Sequence, residues 1–212
     1  MPPVISIVGR SKSGKTTFIV KLVAELKSRG YRVATCKHAP EGVDLNDRDK
    51  DNRRHLNAGS EVTALSSADK IVVIKPVQRD SSLEDVVRFF NEDYDIVLAE
   101  GFKQSSAPKI EVHRQEVGPP LSSVRKRIAI ATDEPLELKA RQLSLEDTPG
   151  FADLLEEGFI KPQRERVSLY VNNAPITLTT FPRKFIASVV LGMVSGLKGV
   201  GKVSRIDLFL RK

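Results

Sequence analysis

The eight residues Gly9-Arg10-Ser11-Lys12-Ser13-Gly14-Lys15-Thr16 fit the pattern G-x-x-x-x-G-K-[ST], and no other stretch constrains the fold as tightly. The pattern needs a strand before it and a helix after it, and both flanks are present. Val4-Ile5-Ser6-Ile7-Val8 is short, β-branched and almost wholly apolar, the composition of a buried parallel strand. Phe18, Leu22, Val23 and Leu26 then recur at helical spacing up to Gly30, a helix stop. Gly9 and Gly14 let the backbone wrap around a phosphate chain, lined by Ser11, Lys12, Ser13 and Thr17. The N–H groups at the helix start face an anion along the favourable dipole. Lys15 is placed to reach the β- and γ-phosphates and the Thr16 hydroxyl to ligate Mg²⁺. The chain is expected to bind a nucleoside triphosphate.

A second strand is expected over Tyr31-Arg32-Val33-Ala34-Thr35-Cys36, with Cys36 as a small buried hydrophobe near its end. Lys37 and His38 follow, opening a polar segment over 37–55 with five acids (Glu41, Asp44, Asp47, Asp49, Asp51) and five bases. A loop of that length beyond a strand's carboxyl end is read as functional, with a mobile surface loop as the alternative. A short helix from Asp51 to Ala58 presents Arg54 on one side. Glu61–Ser66 and Lys70–Ile74 are strands too closely linked for a parallel crossover, so they pair antiparallel. Residues 82–92 predict an amphipathic helix through Leu83, Val86, Val87 and Phe90.

Asp95 to Ala99 is a buried strand that ends in Glu100-Gly101-Phe102. A carboxylate emerging there, beside the phosphate loop, holds Mg²⁺ directly or through water. Glu100 stands where aspartate is commoner, and a plain strand-end glutamate is the alternative. Gly101 permits close backbone approach to a γ-phosphate. Lys109–His113 reads as an alternating strand and Arg127–Ala131 as an apolar one, running into Thr132-Asp133-Glu134-Pro135. Asp133 therefore sits at the carboxyl edge of the sheet, where ligands collect. Its carboxylate can accept both N1–H and the 2-amino group of guanine, a pair of donors adenine lacks; the alternative is a cap for the turn before Pro135. Asp147-Thr148-Pro149 opens a helix over Phe151 to Glu157.

Residues 161–166 read as a linker between a nucleotide-binding domain (1–160) and a small C-terminal unit (167–212). That unit is expected to hold a hairpin turning at Asn172-Asn173, an apolar helix through Phe185, Ile186, Val189, Val190, Met193, Val194 and Leu197, and a closing strand over Val203–Leu210. So small a β-β-α-β unit makes a marginal core, which favours packing or self-association, and a homodimer is expected. The net charge of +7 concentrates here: residues 161–212 hold ten Lys or Arg against Glu165 and Asp207. Such asymmetry points to an anionic partner or a solvated basic surface. Nucleic acid is disfavoured as that partner, because aromatics are 6% of the chain and no stacking platform is visible. His38, His55 and His113 lack metal-ligand spacing. No apolar run of membrane-spanning length occurs, the first strand begins at the N-terminus, and Cys36 is the only cysteine. A cytoplasmic protein is expected.

Three stretches resemble the molybdopterin-guanine dinucleotide biosynthesis protein B family. They are the loop Ser11–Thr17, the region of Lys37-His38 and Lys50–Gly59, and Val97–Lys103 with Pro108–Arg114; Ala131-Thr132-Asp133 adds to them. Arg53 and Leu56 depart from the polar or aromatic residues common there. The resemblance covers about residues 4–160 and implies a P-loop NTPase-like, three-layer α/β fold with a mostly parallel sheet. It implies GTP and Mg²⁺ as ligands, with molybdopterin a candidate bound ligand, and weak GTPase activity. It also implies an accessory role beside the guanylyltransferase that attaches GMP to molybdopterin, with a molybdoenzyme as a further candidate partner.

On this reading Lys15 and Glu100 are the catalytic candidates, and Thr16 and Glu100 the metal ligands. The phosphate loop with Gly101 and Asp133 holds the nucleotide, and Lys37, His38, Arg54 and Lys103 meet substrate or partner. Two alternatives stand beside it. One is a small-molecule kinase in which Asp44 or Glu100 deprotonates an acceptor hydroxyl. The other is a nucleotide-dependent adaptor that binds an anionic partner through its basic C-terminal unit.

Overall fold

The computed structural model describes residues 2–39, 42, 50–90, 94–162, 167, 169–172, 174–176, 178–203, 206 and 208. The chain divides into two compact units, residues 2–161 and 162–212. In the first, a strand at Val4–Val8 (β1) leads into a helix at Lys15–Ser28 (α1), then a strand at Val33–Lys37 (β2) and a helix at Lys50–Asn57 (α2). Strands at Thr63–Ser66 (β3) and Ile71–Ile74 (β4) and a helix at Leu83–Val87 (α3) precede strands at Ile96–Glu100 (β5) and Lys109–Val112 (β6). Strands at Arg127–Thr132 (β7) and Arg141–Ser144 (β8) and a helix at Thr148–Leu155 (α4) complete the unit, and α4 runs into a π-helical turn at Glu156–Ile160.

Six strands form one sheet in the order β2-β5-β1-β6-β7-β8, and every pairing in it is parallel. Parallel strands covered on both faces must be apolar throughout, and β1, β5 and the end of β7 are nearly continuous runs of buried residues. Ile5, Ile7, Ile96 and Leu98 pack with Phe18, Leu22 and Leu26 of α1 and Phe151 of α4; Val97 and Ala99 pack with Leu83 and Val87 of α3 on the opposite face. Phe18 and Phe151 meet edge to face at 4.9 Å, which locks α1 to α4. The result is a three-layer α/β fold. The chain passes from β1 outward to β2 and returns to place β6 on β1's other side, so the loop after β1 lies at a topological switch point.

Several sequence expectations change here. β6 does not alternate: Lys109, Ile110, Glu111 and Val112 are all buried, because the strand lies between β1 and β7 with both faces covered. Its two charges are buried with partners. Lys109 Nζ donates to the carbonyls of Ser105 (2.6 Å) and Ala107 (2.9 Å), and burial lowers its pKa, with Lys126 and Arg125 adding to the shift. Glu111 accepts the Leu121 N–H at 2.6 Å and pairs with Arg127 at 2.8 Å. β8 carries no apolar run, which is why its sequence gave no strand signal; it is the half-exposed sheet edge. The helix expected over 82–92 spans only Leu83–Val87, opened by a reciprocal Ser82–Asp85 capping box and closed by a turn at Arg88 and Phe89. Asp147 caps α4 by accepting the Gly150 N–H at 3.0 Å, but regular α-helix stops at Leu155, not Glu157. β3 and β4 pair antiparallel, as a two-stranded sheet of their own.

The second unit holds strands at Leu169–Val171 (β9) and Ala174–Ile176 (β10), paired antiparallel, with Asn172 in the left-handed region at φ 50°. Its helix at Thr180–Ser195 (α5) starts earlier than the stripe from Phe185 implies and is capped by Gly196, ahead of Gly199 and Gly201. The expected closing strand over 203–210 and the linker over 161–166 fall largely outside the described residues.

Candidate functional site

The phosphate loop joins β1 to α1, and its backbone has the shape an anion requires. Gly14 caps α1 at φ 87°, a left-handed conformation that a side chain would strain, and no side chain caps the helix. A Cβ on Gly9 would run into the Val112 carbonyl oxygen and lie 2.7 Å from Ser13 Oγ, so the loop passes flush against the end of β6. Lys12 also sits in the left-handed region, at φ 65°. The first-turn N–H groups of α1, including those of Lys15, Thr16 and Thr17, have no acceptor within the helix. Ser13 Oγ is buried and has no hydrogen-bond partner among the described residues. An uncapped helix start and an orphaned buried hydroxyl in one loop are what a bound phosphate chain would satisfy.

Lys15 and Glu100 converge on that loop. Glu100 ends β5 with Ile7 of β1 in register on one side and Lys37 of β2 on the other. Its Oε2 accepts the Thr16 hydroxyl at 2.9 Å, and its Oε1 pairs with Lys37 Nζ at 3.3 Å. A hydroxyl and a carboxylate side by side are hard oxygen donors suited to Mg²⁺. Lys15 Nζ donates to the Arg10 carbonyl at 2.6 Å. Burial lowers the Lys15 pKa; Glu100 opposes that shift, and the charges of Lys103 and Lys37 reinforce it. Lys15, Lys37, Lys103 and Glu100 therefore share one electrostatic neighbourhood, three cations around one carboxylate, which has charge to spare for an incoming polyanion.

The remaining expected residues divide. His38 Nε2 hydrogen-bonds both carboxylate oxygens of Asp80 (3.0 and 2.9 Å), and its ring lies 5.0 Å from that of Phe102. The His38 N–H donates to the Glu100 carbonyl at 3.0 Å, and its Cβ lies 3.3 Å from the place a Cβ on Gly101 would take. His38 is thus a brace between the loops after β2 and β5. Phe102 sits at φ 51°, a conformation unfavourable for so bulky a residue, two residues after Glu100. Asp133 stands at the carboxyl end of β7, where Oδ1 accepts the Gln115 N–H at 2.9 Å. Arg54 is exposed on α2, with Asp51 3.7 Å away. Ser11 lies exposed in the loop. Asp44 and most of the polar segment around it lie outside the described residues. Cys36 is half-buried, and desolvation pushes its thiol up to about 11, leaving little thiolate for nucleophilic chemistry near neutral pH.

Sequence reasoning missed three side chains. Arg10 Nε donates to the Pro119 carbonyl at 2.6 Å, tying the loop to the segment after β6. Asp80 is the partner of His38, and Arg114 packs against Gly14. Arg114 alone had a local signal, a cation immediately after a strand, but only the sheet order places that strand beside β1.

The profile of the family described as MobB, molybdopterin guanine dinucleotide synthesis protein B, matches residues 4–133. Two relatives carry the name molybdopterin-guanine dinucleotide biosynthesis adapter protein. That of Haemophilus influenzae is 36% identical over 156 residues, 73% of this chain and 88% of the relative. That of Escherichia coli is 31% identical over 163 residues, 74% of this chain and 93% of the relative. A crystal structure of a MobB homolog from Bacillus stearothermophilus superposes with a TM-score of 0.57 at 27% identity, covering 76% of this chain and 99% of that one. The matched stretch runs from β1 to Asp133 and includes the phosphate loop, Lys37, Glu100 and Arg114. The chain belongs to the molybdopterin guanine dinucleotide synthesis protein B family.

Proposed function

We propose that this chain is a GTP-binding accessory protein in molybdopterin guanine dinucleotide biosynthesis, with a weak GTPase activity that acts as a timer. The observation that carries the reading is the Thr16–Glu100 contact of 2.9 Å at the lip of an anion-ready loop, in a chain of this family. Lys15 leaves the Arg10 carbonyl to meet the β- and γ-phosphates, and Ser13 Oγ and the α1 amides take the remaining phosphate oxygens. Thr16 and Glu100 would hold Mg²⁺, whose chemistry is to neutralise charge on the β- and γ-phosphates. With Glu100 engaged as a metal ligand, Lys37, now paired with it at 3.3 Å, would be available to an anion at the end of β2. Asp133 reads the guanine edge from the carboxyl end of β7. The partner proposed is the guanylyltransferase that transfers GMP to molybdopterin.

The test is a reconstituted transfer assay with a molybdopterin guanylyltransferase, molybdopterin and MgGTP. Adding this chain is expected to raise the rate of dinucleotide formation, and Lys15→Ala to abolish the gain. A gain that survives Lys15→Ala in a folded variant, or no gain from the wild-type chain, overturns the accessory reading.

A further inference from the structure

None of the roles above uses Arg114, yet it fills the space between the two ends of the proposed nucleotide site. It lies two residues beyond the end of β6, the neighbour of β1, which brings it to the flank of the phosphate loop. A Cβ on Gly14 would lie 3.2 Å from Arg114 Nε and 3.6 Å from Nη2, so the guanidinium occupies the room that the absent side chain leaves. On its other side Nη1 lies 3.9 Å from Asp133 Oδ2, while Asp133 Oδ1 is held by the Gln115 N–H at 2.9 Å. Its charge also reaches Glu146, whose carboxyl is lowered first by its bond with Lys21 and further by Arg114. One half-buried, planar cation thus touches the phosphate loop and steadies the carboxylate 119 residues along the chain from Gly14.

We propose that Arg114 is a positioning residue that sets nucleotide specificity: it holds Asp133 at a fixed distance from the phosphate loop. This deepens the GTP reading and rests on it. A base-reading carboxylate discriminates only if its oxygens meet the donors of the purine while the phosphates are seated. The register between the two ends therefore has to be rigid. Arginine suits the task because it stays charged and its planar fork has two ends, one for each wall. Lysine retains the charge but not the span.

The test uses the full chain and isothermal titration with MgGTP, MgATP and inorganic pyrophosphate, on the wild type, Arg114→Ala, Arg114→Lys, Asp133→Asn and the double variant. Arg114→Ala is expected to cut the GTP-over-ATP preference about tenfold while pyrophosphate affinity stays within about twofold, because pyrophosphate uses the loop alone. Arg114→Lys is expected to recover part of the preference. In the Asp133→Asn background, Arg114→Ala is expected to cause no further loss of preference, since the two act as one unit. An unchanged preference in Arg114→Ala overturns the proposal. So do losses that multiply in the double variant, or GTP and pyrophosphate affinities that fall in parallel. A wild-type chain that binds no GTP overturns the GTP reading together with this proposal, whereas one that binds GTP and ignores Arg114 overturns the proposal alone.

Discussion

Lys15 and Glu100 are neighbours at the phosphate loop, and the carboxylate sets the working condition of the ammonium. Burial lowers the Lys15 pKa, and Glu100 is the carboxylate that raises it. Phosphate binding needs the ammonium, so affinity is full below the lowered value and falls as pH rises through it. Glu100→Gln removes the opposing charge, so the alkaline fall in pyrophosphate affinity is expected to begin at lower pH than in the wild type. Titrations across the alkaline range check this, and coincident profiles contradict it. The same variant is expected to weaken Mg²⁺-dependent GTP binding more than Mg²⁺-free binding; equal losses remove Glu100 from the metal shell. At the other end of the site, Asp133→Asn is expected to lower GTP affinity and raise XTP affinity, because the amide donates to the 2-oxo group of xanthine. Much of this was legible in residues alone: the loop pattern, the strand-end Glu100 and the position of Asp133 were all read from local order. Arg114 and Asp80 were not: Arg114 meets Gly14 because β6 neighbours β1, and Asp80 meets His38 across 42 residues of chain, both non-local facts.

At the scale of elements, α1 carries both the site and the core, so its anchorage governs how well the loop is held. Its N-terminal half is fixed by Phe18 against Phe151, both buried. Phe151→Ala is expected to cost about 3–5 kcal/mol of stability, read by denaturant melts, because it opens a cavity at the α1–α4 contact. Its C-terminal end is held by Arg29, which donates to Glu25 (2.8 Å), Asp153 (2.6 Å), Glu156 (3.0 Å) and the Pro149 carbonyl (3.2 Å). Bonds from Lys161, Arg29 and Tyr31 bring the Glu156 carboxyl down to about 2 from the ordinary 4.5. A depressed carboxylate stabilises the fold above its unfolded value and loses that contribution as pH falls toward the folded one. Arg29→Ala is therefore expected to lower stability at pH 7, with the difference from wild type shrinking between pH 4.5 and 2. An undiminished difference at pH 2 contradicts the account. Periodicity predicted α1 and the buried strands because both faces or one full stripe are apolar. It failed at β6, where Lys109 and Glu111 alternate with apolar residues yet are buried on carbonyls and Arg127. It failed at β8 because an edge strand needs no apolar pattern.

Over the whole molecule, both apolar clusters draw only on residues between Val4 and Ile160. The first unit therefore has a complete core of its own, and truncation after Gln163 is expected to leave nucleotide binding nearly intact. The second unit is different in kind. Phe181, Phe185, Val189, Met193 and Leu197 recur every four residues and are all exposed, and no residue of α5 is buried. An exposed apolar ridge of that spacing is the surface that packs into another element. Truncation is expected to change the association state, measured by light scattering; the same association in both forms contradicts the assignment. The excess of basic residues begins near residue 161, where the chain divides into its two compact units.

The account turns on the phosphate loop holding a guanine nucleotide through Lys15. Calorimetric titration of MgGTP into the full chain and its Lys15→Ala variant tests that directly, with circular dichroism to establish that both are folded. The account predicts saturable binding by the wild type, weaker binding of MgATP, and at least about a hundredfold loss of GTP affinity in the variant. Equal GTP affinity in wild type and a folded Lys15→Ala variant would contradict it.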